Sequence, residues 1–580
     1  MNEDSQSDSP KDPESEASET LVVGETDHDE ASSIAGETVI QVGSAGPPSI
    51  SPATTHDKST GKSAFMVAAG ILISRIIGLI RQRVFAHYFG LSDAGDAFNV
   101  AFKIPNFLQN VFGEGALSAS FIPVYAKLLA KDDQEEASHV ANAVLTLLAL
   151  ATSVIVLLGV LTTPYFIDLI AAGFTGPKRE LTITLVKIFF PGAGLLVLSA
   201  WCLGVLNSHR KFFLSYTAPV LWNLAIIGAL VGFGARVGEF RLAEIVAWAS
   251  VAGSALQLAV QVPTVLGLLK RFRPVFDVAT AEVRSVVRNF FPVFISRGVI
   301  QISAFVDTWL ATWLGTGAVG ALSYTQSIYT LPVSLFGMAV SAAELPAMAG
   351  TIGTIDEVAA ILRHRLDAGL QRIAFFIVPS AMAFLALGDV MAGALYQTGK
   401  FKQDGAIYVW AILAGSSIGL LAATLGRLYS STYYALRDTR TPLLYAIIHV
   451  ALATCLGYLC AFPVTRYIGL EPKWGVVGLT MAASVAAWTE FLLLRQTLNR
   501  RIGRTGLPGA YSIKLWIAAL LAAAVGWGLK VMMPALHPIP LAAVVLGTYG
   551  VTYFAVTFTL GISESRSVIG KLLRAVRLAR

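Results

Sequence analysis

Blocks of 18 to 28 apolar residues, separated by short polar breaks, fill the chain from Ser63 to about residue 561. An α-helix rises about 1.5 Å per residue, so a block of this length is what crossing roughly 30 Å of hydrocarbon requires. Strands of a membrane β-barrel would alternate apolar and polar residues over about ten positions. Runs such as Val144 to Leu161 and Leu515 to Leu529 show no such alternation. Backbone polar groups find no water inside a bilayer, which leaves helices as the spanning structure. The sequence thus predicts an all-α polytopic membrane protein. Composition agrees: 55% of the 580 residues are hydrophobic and only 14% are charged, against about a quarter in soluble proteins.

Fourteen spans are predicted, at 63–80, 96–122, 141–162, 181–206, 215–234, 244–269, 289–314, 319–349, 373–388, 405–430, 442–461, 474–494, 515–529 and 541–561. Loops after the even-numbered spans hold 24 Lys and Arg, and those on the opposite side hold 11. That asymmetry places both termini in the cytoplasm. Clusters such as Lys270, Arg271 and Arg273, or Arg500, Arg501 and Arg504, then lie at the anionic inner leaflet. Ahead of the first span, residues 1–60 carry thirteen acidic residues against two lysines, a net −11, so the remainder carries +17 of the total +6. Such a composition cannot bury enough surface to offset the entropy of ordering, and an acidic disordered tail is expected. No cleaved signal peptide is expected, since the first apolar block begins only after Lys62 and many follow. Cys202, Cys455 and Cys460 lie inside apolar blocks without metal-ligand spacing and read as packing residues. No metal site, cofactor or nucleic-acid partner is expected.

A repeat is legible. Ile73-Ser74-Arg75, Gly90 and Pro105 recur as Ile295-Ser296-Arg297, Gly315 and Pro332, at offsets of 222, 225 and 227. Six spans separate the copies, so both run the same way through the membrane. Parallel six-helix halves place a binding site at their interface near the midplane, with rocking of one half on the other giving alternating access. The expected organisation is a tail at 1–60, an N-lobe at 61–270, a C-lobe at 271–500, two accessory helices at 501–561 and a basic tail at 562–580.

Charges inside spans are costly, about 2.5 to 3.5 kcal/mol each on insertion scales, and need a partner, a wet cavity or a function. Arg75 stands twelve residues after Ser63, about 18 Å deep. Arg297 holds the repeat-related position, and Lys103 lies two residues before Pro105. Three cations on three helices of one interface point to an anionic ligand; internal pairing with Asp96, Glu114, Asp307 or Glu344 is the alternative. Arg81 is about 120° around a regular helix from Arg75, so it joins them through a bend at Gly78 or else lies at the outer mouth. Guanidinium binds phosphate through paired parallel hydrogen bonds and ammonium adds a mobile point charge, which makes a diphosphate the best-matched ligand. Lipophilic cations are disfavoured by sign. Catalysis has no support: Glu135 and Glu136 read as part of a solvated charge run with Asp132 and Asp133, and His87, His209 and His449 are scattered singly.

The run Ser74-Arg75-Ile76-Ile77-Gly78-Leu79-Ile80-Arg81, then Phe89-Gly90, Asp96-Ala97-Phe98-Asn99-Val100-Ala101-Phe102-Lys103-Ile104-Pro105-Asn106 and Phe112-Gly113-Glu114-Gly115-Ala116, closely resembles the MurJ (MviN) family of lipid II flippases. Tyr396-Gln397-Thr398-Gly399-Lys400-Phe401 and Tyr434-Ala435-Leu436-Arg437-Asp438-Thr439-Arg440-Thr441-Pro442 extend the resemblance, which covers the chain from about residue 62.

The resemblance implies two six-helix lobes around a central cavity, a relation to the multidrug, oligosaccharidyl-lipid and polysaccharide exporter superfamily, and two C-terminal helices forming a lipid-side groove. It implies a transporter of the bacterial inner membrane that moves lipid II, the undecaprenyl-diphosphate-linked precursor of peptidoglycan, from inner to outer leaflet in cell wall biogenesis and the maintenance of cell shape. A coupling ion and cell-wall synthesis proteins are further expected partners. Arg75, Arg81, Asp96, Lys103 and Glu114 match the lobe-one motifs and take cavity roles: Arg75, Arg81 and Lys103, joined by Arg297, as substrate-binding cations, and Asp96 and Glu114 as their charge partners when the cavity is empty. Span 8 departs from the family pattern, with Gln326, Ser327 and Thr330 where an Asp-Arg pair and a Glu are usual; Gln109 and Asn110 replace arginines. These departures leave open another polyprenyl-diphosphate-linked glycan, such as an O-antigen or capsule unit, as cargo. A non-transporting scaffold for cell-wall enzymes is the third reading.

Overall fold

Backbone hydrogen bonds closed within each segment are the only inexpensive arrangement in hydrocarbon, and the chain folds accordingly. The computed structural model describes residues 20–21, 58–269, 273–351, 353–533, 536–568 and 570, with the side chains of 20–21, 58–69, 71, 113–115, 295–304, 353 and 355 outside that description. Most of the expected acidic tail, Lys270, Arg271 and the last ten residues lie outside the described residues.

Seventeen α-helices form among the described residues. In the first half these are α1 (Lys58–Phe89), α2 (Asp93–Leu108), α3 (Ser118–Ala130), α4 (Gln134–Ile170), α5 (Gly176–Ser208), α6 (Phe212–Phe233) and α7 (Glu239–Leu268). The second half holds α8 (Ala281–Thr312), α9 (Ala318–Pro332), α10 (Ala339–Ala349), α11 (Ile355–Tyr396), α12 (Gln403–Ala435), α13 (Arg440–Leu459), the single turn α14 (Thr465–Tyr467) and α15 (Gly475–Ile502). Two more, α16 (Gly509–Met532) and α17 (Pro538–Thr559), pair with each other and pack on α11. The described strand pairing is a two-residue match of Thr20–Leu21 with Gly353–Thr354.

Among the described residues, eleven helical stretches are long and apolar enough to cross a membrane. That figure omits α1, the α2–α3 rod and α8, each of which includes residues outside the side-chain description. Eleven spans therefore stand against the fourteen expected.

Local chemistry sets the helix ends. The Ser92 side chain accepts from Gly95 N to cap α2, and Thr354 with Glu357 closes a reciprocal capping box at the start of α11. Glu135 and Glu136, expected in a solvated loop, instead form the first turn of α4 behind the N-cap Asp133, where negative charge meets the positive end of the helix dipole. Of the cysteines, Cys202 is buried, but Cys455 is exposed and Cys460 only half-buried.

The two copies of the repeat share backbone irregularities. Gly90 and Gly315 both take positive φ, at 56° and 96°. Pro105 precedes a π-helical stretch, Gln109–Leu117, and Pro332 abuts another, Val333–Met338. A proline removes one rung of the hydrogen-bond ladder, and a widened turn absorbs the loss.

Candidate functional site

One end of the bundle, here termed distal, gathers the end of α1, the start of α2, the α4–α5 turn, the start of α9 and the α11–α12 turn. Hydrogen bonds in this distal region join the first half of the bundle to the second. At its centre is Asp96, a fully buried carboxylate. Its Oδ2 accepts from Gly317 N and its Oδ1 from Gly320 N, both at 2.7 Å. These are free amides of the first turn of α9, so a carboxylate from the first half neutralises a helix N-terminus of the second. Lys178, two residues past the start of α5 and so in its first turn, donates to Asp96 Oδ2 at 2.7 Å and lies 2.9 Å from Asp93 Oδ1. Asp93 also accepts from Thr316 Oγ1 at 2.8 Å. Its carboxyl stays below the usual carboxylate range: burial pushes it up, and the bonds from Lys178 and Thr316 outweigh that.

Gly317 fits because its φ is 82° and a Cβ there would come within 2.9 Å of Leu91 Cβ. Around this centre Ser323 Oγ donates to Asn99 Oδ1 (3.0 Å), Tyr324 OH to Gly90 O (3.2 Å) and Lys400 N to His87 O (2.9 Å). Arg83 Nη1 donates to Leu395 O at 3.0 Å, and Lys400 Nζ meets Glu239 Oε1 at 2.6 Å. We call this constellation the distal seal.

The candidate cations lie deeper. Arg81 precedes the end of α1 by eight residues and Lys103 follows the start of α2 by ten, depths of about 12 and 15 Å. Arg81 sits over two aromatic faces, 5.2 Å from the Phe102 centroid and 5.3 Å from that of Trp222. The two rings stack on each other at 5.4 Å, and Trp222 Nε1 is held by Ser250 O and Oγ. Together with Gln82, Phe85, Phe98, Asn99, Phe102 and Ile226, Arg81 lines a small, partly open pocket. No described carboxylate comes within ion-pair distance of Arg81. The ring faces hold the guanidinium in place while leaving its N–H edges for a ligand.

Lys103 reaches across to α8, where its amine contacts Thr308 Oγ1 and lies 5.9 Å from the Phe305 ring, within electrostatic reach of Asp307. Arg75 is half-buried, about four turns below the end of α1. The side chains of Glu114 and Arg297 lie outside the described residues.

The sequence reading made Asp96 a partner of the cavity cations; the structure pairs it with Lys178 and the α9 amides, because it stands at the very start of α2, above the cations. Arg81 is not a mouth residue, since it faces Phe102 and Trp222. Lys178 went unnoticed because a loop lysine beside Arg179 reads as a topology signal. Of the span 8 departures, Ser327 accepts from Gln82 Nε2 at 3.2 Å, Thr330 Oγ1 donates back to Gln326 O at 2.7 Å, and Gln326 is exposed. Arg427, also passed over, lies on α12 within electrostatic reach of Tyr329 and Glu490. Among the described residues, no group of three or more His, Cys, Asp or Glu side chains is placed to hold a metal ion.

The family model "Lipid II flippase MurJ" matches residues 85–547. Lipid II flippase MurJ of Burkholderia cenocepacia is 30% identical over 524 residues, covering 86% of this chain and 97% of that one. Probable lipid II flippase MurJ of Rhizobium meliloti is 30% identical over 517 residues, covering 85% and 93%. Among solved structures, lipid II flippase MurJ in an inward closed conformation superposes with a TM-score of 0.70 at 23% identity, over 87% of this chain and 100% of that one. An inward-facing multidrug resistance MATE family transporter of the MOP superfamily gives 0.58 at 16% identity, over 76% and 98%.

Proposed function

Because the chain belongs to the lipid II flippase MurJ family, we propose that the cations beneath the distal seal hold the diphosphate of lipid II during its passage across the membrane. The protein is a lipid II flippase, a multi-pass membrane transporter and not an enzyme. The observation that carries the site assignment is Arg81, held on two ring faces in a partly open pocket with no described carboxylate at ion-pair distance.

The distal end faces outward from the bacterial inner membrane, with both termini in the cytoplasm, as the Lys and Arg asymmetry of the loops requires. In the conformation described, the seal closes the outer side, and a headgroup entering from the inner side would meet Arg81 first, with Arg75, Lys103 and Arg297 as the further cations of its path. The polyprenyl tail stays in lipid while the headgroup crosses, so only polar groups are transferred through the polar path. Residues 61–270 and 271–500 act as the two lobes, and 501–561, with α16 and α17, supplies the accessory helices that pack on α11.

Outward opening requires Asp96 to release the α9 amides. A ligand bound equally by both states shifts nothing, so the diphosphate must be held more tightly in one of them. The strongest difference available is at α9: once its N-terminus leaves Asp96, its amides are a ready anion site. Glu114 is the remaining carboxylate for pairing with these cations when no headgroup is bound. A coupling ion and cell-wall synthesis proteins complete the expected partners. An O-antigen or capsule cargo is not favoured, since the relatives matched are lipid II flippases.

The test is a leaflet-accessibility assay with labelled lipid II in vesicles. Wild type exposes the label to the outer reagent, and Arg81→Ala does so on the order of 100-fold more slowly while keeping its unfolding temperature, as losing a pair of charge-assisted hydrogen bonds would give. Unchanged flipping by folded Arg81→Ala contradicts the site assignment, and absence of flipping by wild type returns the scaffold reading.

A further inference from the structure

The acidic tail is a strong feature of the sequence that the transport path leaves unused. Residues 1–60 carry a net −11 and the rest of the chain +17. The acid is densest from Asp12 to Glu30, where eight Asp and Glu stand without a Lys or Arg. Within that run lies a short stretch suited to a strand, Thr20-Leu21-Val22-Val23. Thr20 and Leu21 pair antiparallel with Thr354 and Gly353, in the turn between α10 and α11.

The tail therefore has two attachments. It joins the bundle at Lys58, the start of α1, and it pairs beyond the end of α10. Both points lie at the end of the bundle opposite the distal seal, but α1 belongs to lobe one and the α10–α11 turn to lobe two. The 36 residues from Val22 to Asp57 can cover about 30 Å as a flexible coil and about 120 Å when extended. Their length is ample to join the two lobes across the inner mouth.

Lobe two offers cations close to the pairing. Glu344 of α10, 13% exposed, is shared by Arg365 Nη1 at 3.4 Å and Arg372 Nη1 at 3.2 Å, both from α11 and 42% and 60% exposed. One carboxylate between two guanidiniums leaves a surplus of positive charge on a water-accessible face. Pairing of Thr20 with Thr354 and of Leu21 with Gly353 directs the residues before Thr20 toward α11. At about 3.3 Å per residue of extended chain, Glu16 and Glu14 reach about 13 and 20 Å from Thr20. Arg365 stands eleven residues along from Thr354, about 16 Å by helical rise. Asp356 and Glu357 in the first turn of α11 repel Glu19, so the carboxylates that fit are those further from the pairing.

We propose that the acidic tail straps the inner mouth, anchored at Gly353–Thr354 with Glu14 and Glu16 on Arg365 and Arg372, and competes with anionic headgroups approaching from the inner leaflet. This rests on the reading that the headgroup enters from the inner side. A tethered segment acts at an effective concentration of the order of millimolar, so weak exposed contacts suffice to hold it over the mouth part of the time. Such contacts fade as salt screens them, which makes the strap a brake that depends on ionic strength.

The full-length protein carrying Thr20→Cys and Thr354→Cys, with Cys455→Ser and Cys460→Ser, is reconstituted in phosphatidylethanolamine and phosphatidylglycerol vesicles and mildly oxidised. The disulfide forms about tenfold faster than in a control pairing Thr20→Cys with Ser563→Cys, an exposed residue past the inner end of α17. Flipping of labelled lipid II is slower in the oxidised protein and recovers on reduction. A neutral-tail chain, with the eight acids from Asp12 to Glu30 changed to their amides, flips about threefold faster than wild type in about 0.02 M salt and equally in about 0.5 M. Disulfide formation no faster than in the control overturns the docking. Equal flipping by oxidised and reduced protein, or by neutral-tail and wild-type chains at low salt, overturns the competition. If Arg365→Gln with Arg372→Gln changes flipping by the same factor in both chains, the arginines serve anionic lipid and not the tail, which also overturns the proposal. Absence of flipping by wild type while the disulfide still forms overturns the transport reading, and the brake with it.

Discussion

Asp96 and Arg81 sit within about three helical turns of each other in depth, and the structure treats their charges in opposite ways. Asp96 is fully buried and receives two backbone amides and a lysine, all at 2.7 Å. Arg81 has ring faces for neighbours and no described carboxylate at ion-pair distance. A satisfied buried charge fixes one arrangement of the bundle, and an incompletely satisfied one waits for a ligand. On the proposed assignment, the seal and the cations beneath it are separable functions, one holding a conformation and the other holding a cargo.

The largest effect that can break this division is Asp96→Ala. Removing one member of a buried charged network costs about 3 to 5 kcal/mol because its partners are stranded. The seal then opens, measured as thiol labelling of a cysteine placed at Ser323, and flipping falls with it. If the labelling rate stays at the wild-type level, Asp96 does not hold the seal. Next is Arg81→Lys, expected to restore part of the flipping lost in Arg81→Ala, since the charge returns without the paired donor geometry; labelling at Ser323 should stay slow in both, and a fast-labelling Arg81→Ala would merge the two functions. A smaller change is expected from Gln82→Ala, which loses one neutral hydrogen bond to Ser327 worth about 1 kcal/mol and should raise the labelling rate about fivefold.

Smallest is the response to acid. Asp93 has its carboxyl depressed in the folded protein by Lys178 and Thr316 despite burial. Its contribution to the seal is fully present above the ordinary carboxylate pKa and is lost as pH falls through the depressed value. Labelling at Ser323 should be flat from pH 7 to about 4.5 and rise only at more acidic pH, and Asp93→Asn should flatten that rise.

Much of the architecture was legible because a bilayer imposes one length and one kind of secondary structure. The repeat was legible through Gly90, Gly315, Pro105 and Pro332, residues whose backbone demands leave a mark at fixed positions. Arg81 and Lys103 were legible because charge in an apolar run is conspicuous. Lys178 was not, since a lysine in a polar turn looks the same whether it is solvated or drawn onto a buried carboxylate. The partners of Asp96 escape the sequence for the same reason: they are a lysine in the first turn of α5 and backbone amides from 221 and 224 residues away, and backbone amides carry no sequence signature.

The account's central claim is that lipid II crosses only if the distal seal opens. Cysteines at Asn99 and Ser323, whose side chains meet across the seal at 3.0 Å, can be joined by a short reducible bis-thiol crosslinker and the flipping of labelled lipid II followed in vesicles. The account predicts that flipping stops when the two sites are joined and resumes on reduction, with each single cysteine unaffected. Flipping that continues unchanged in the joined protein would contradict it.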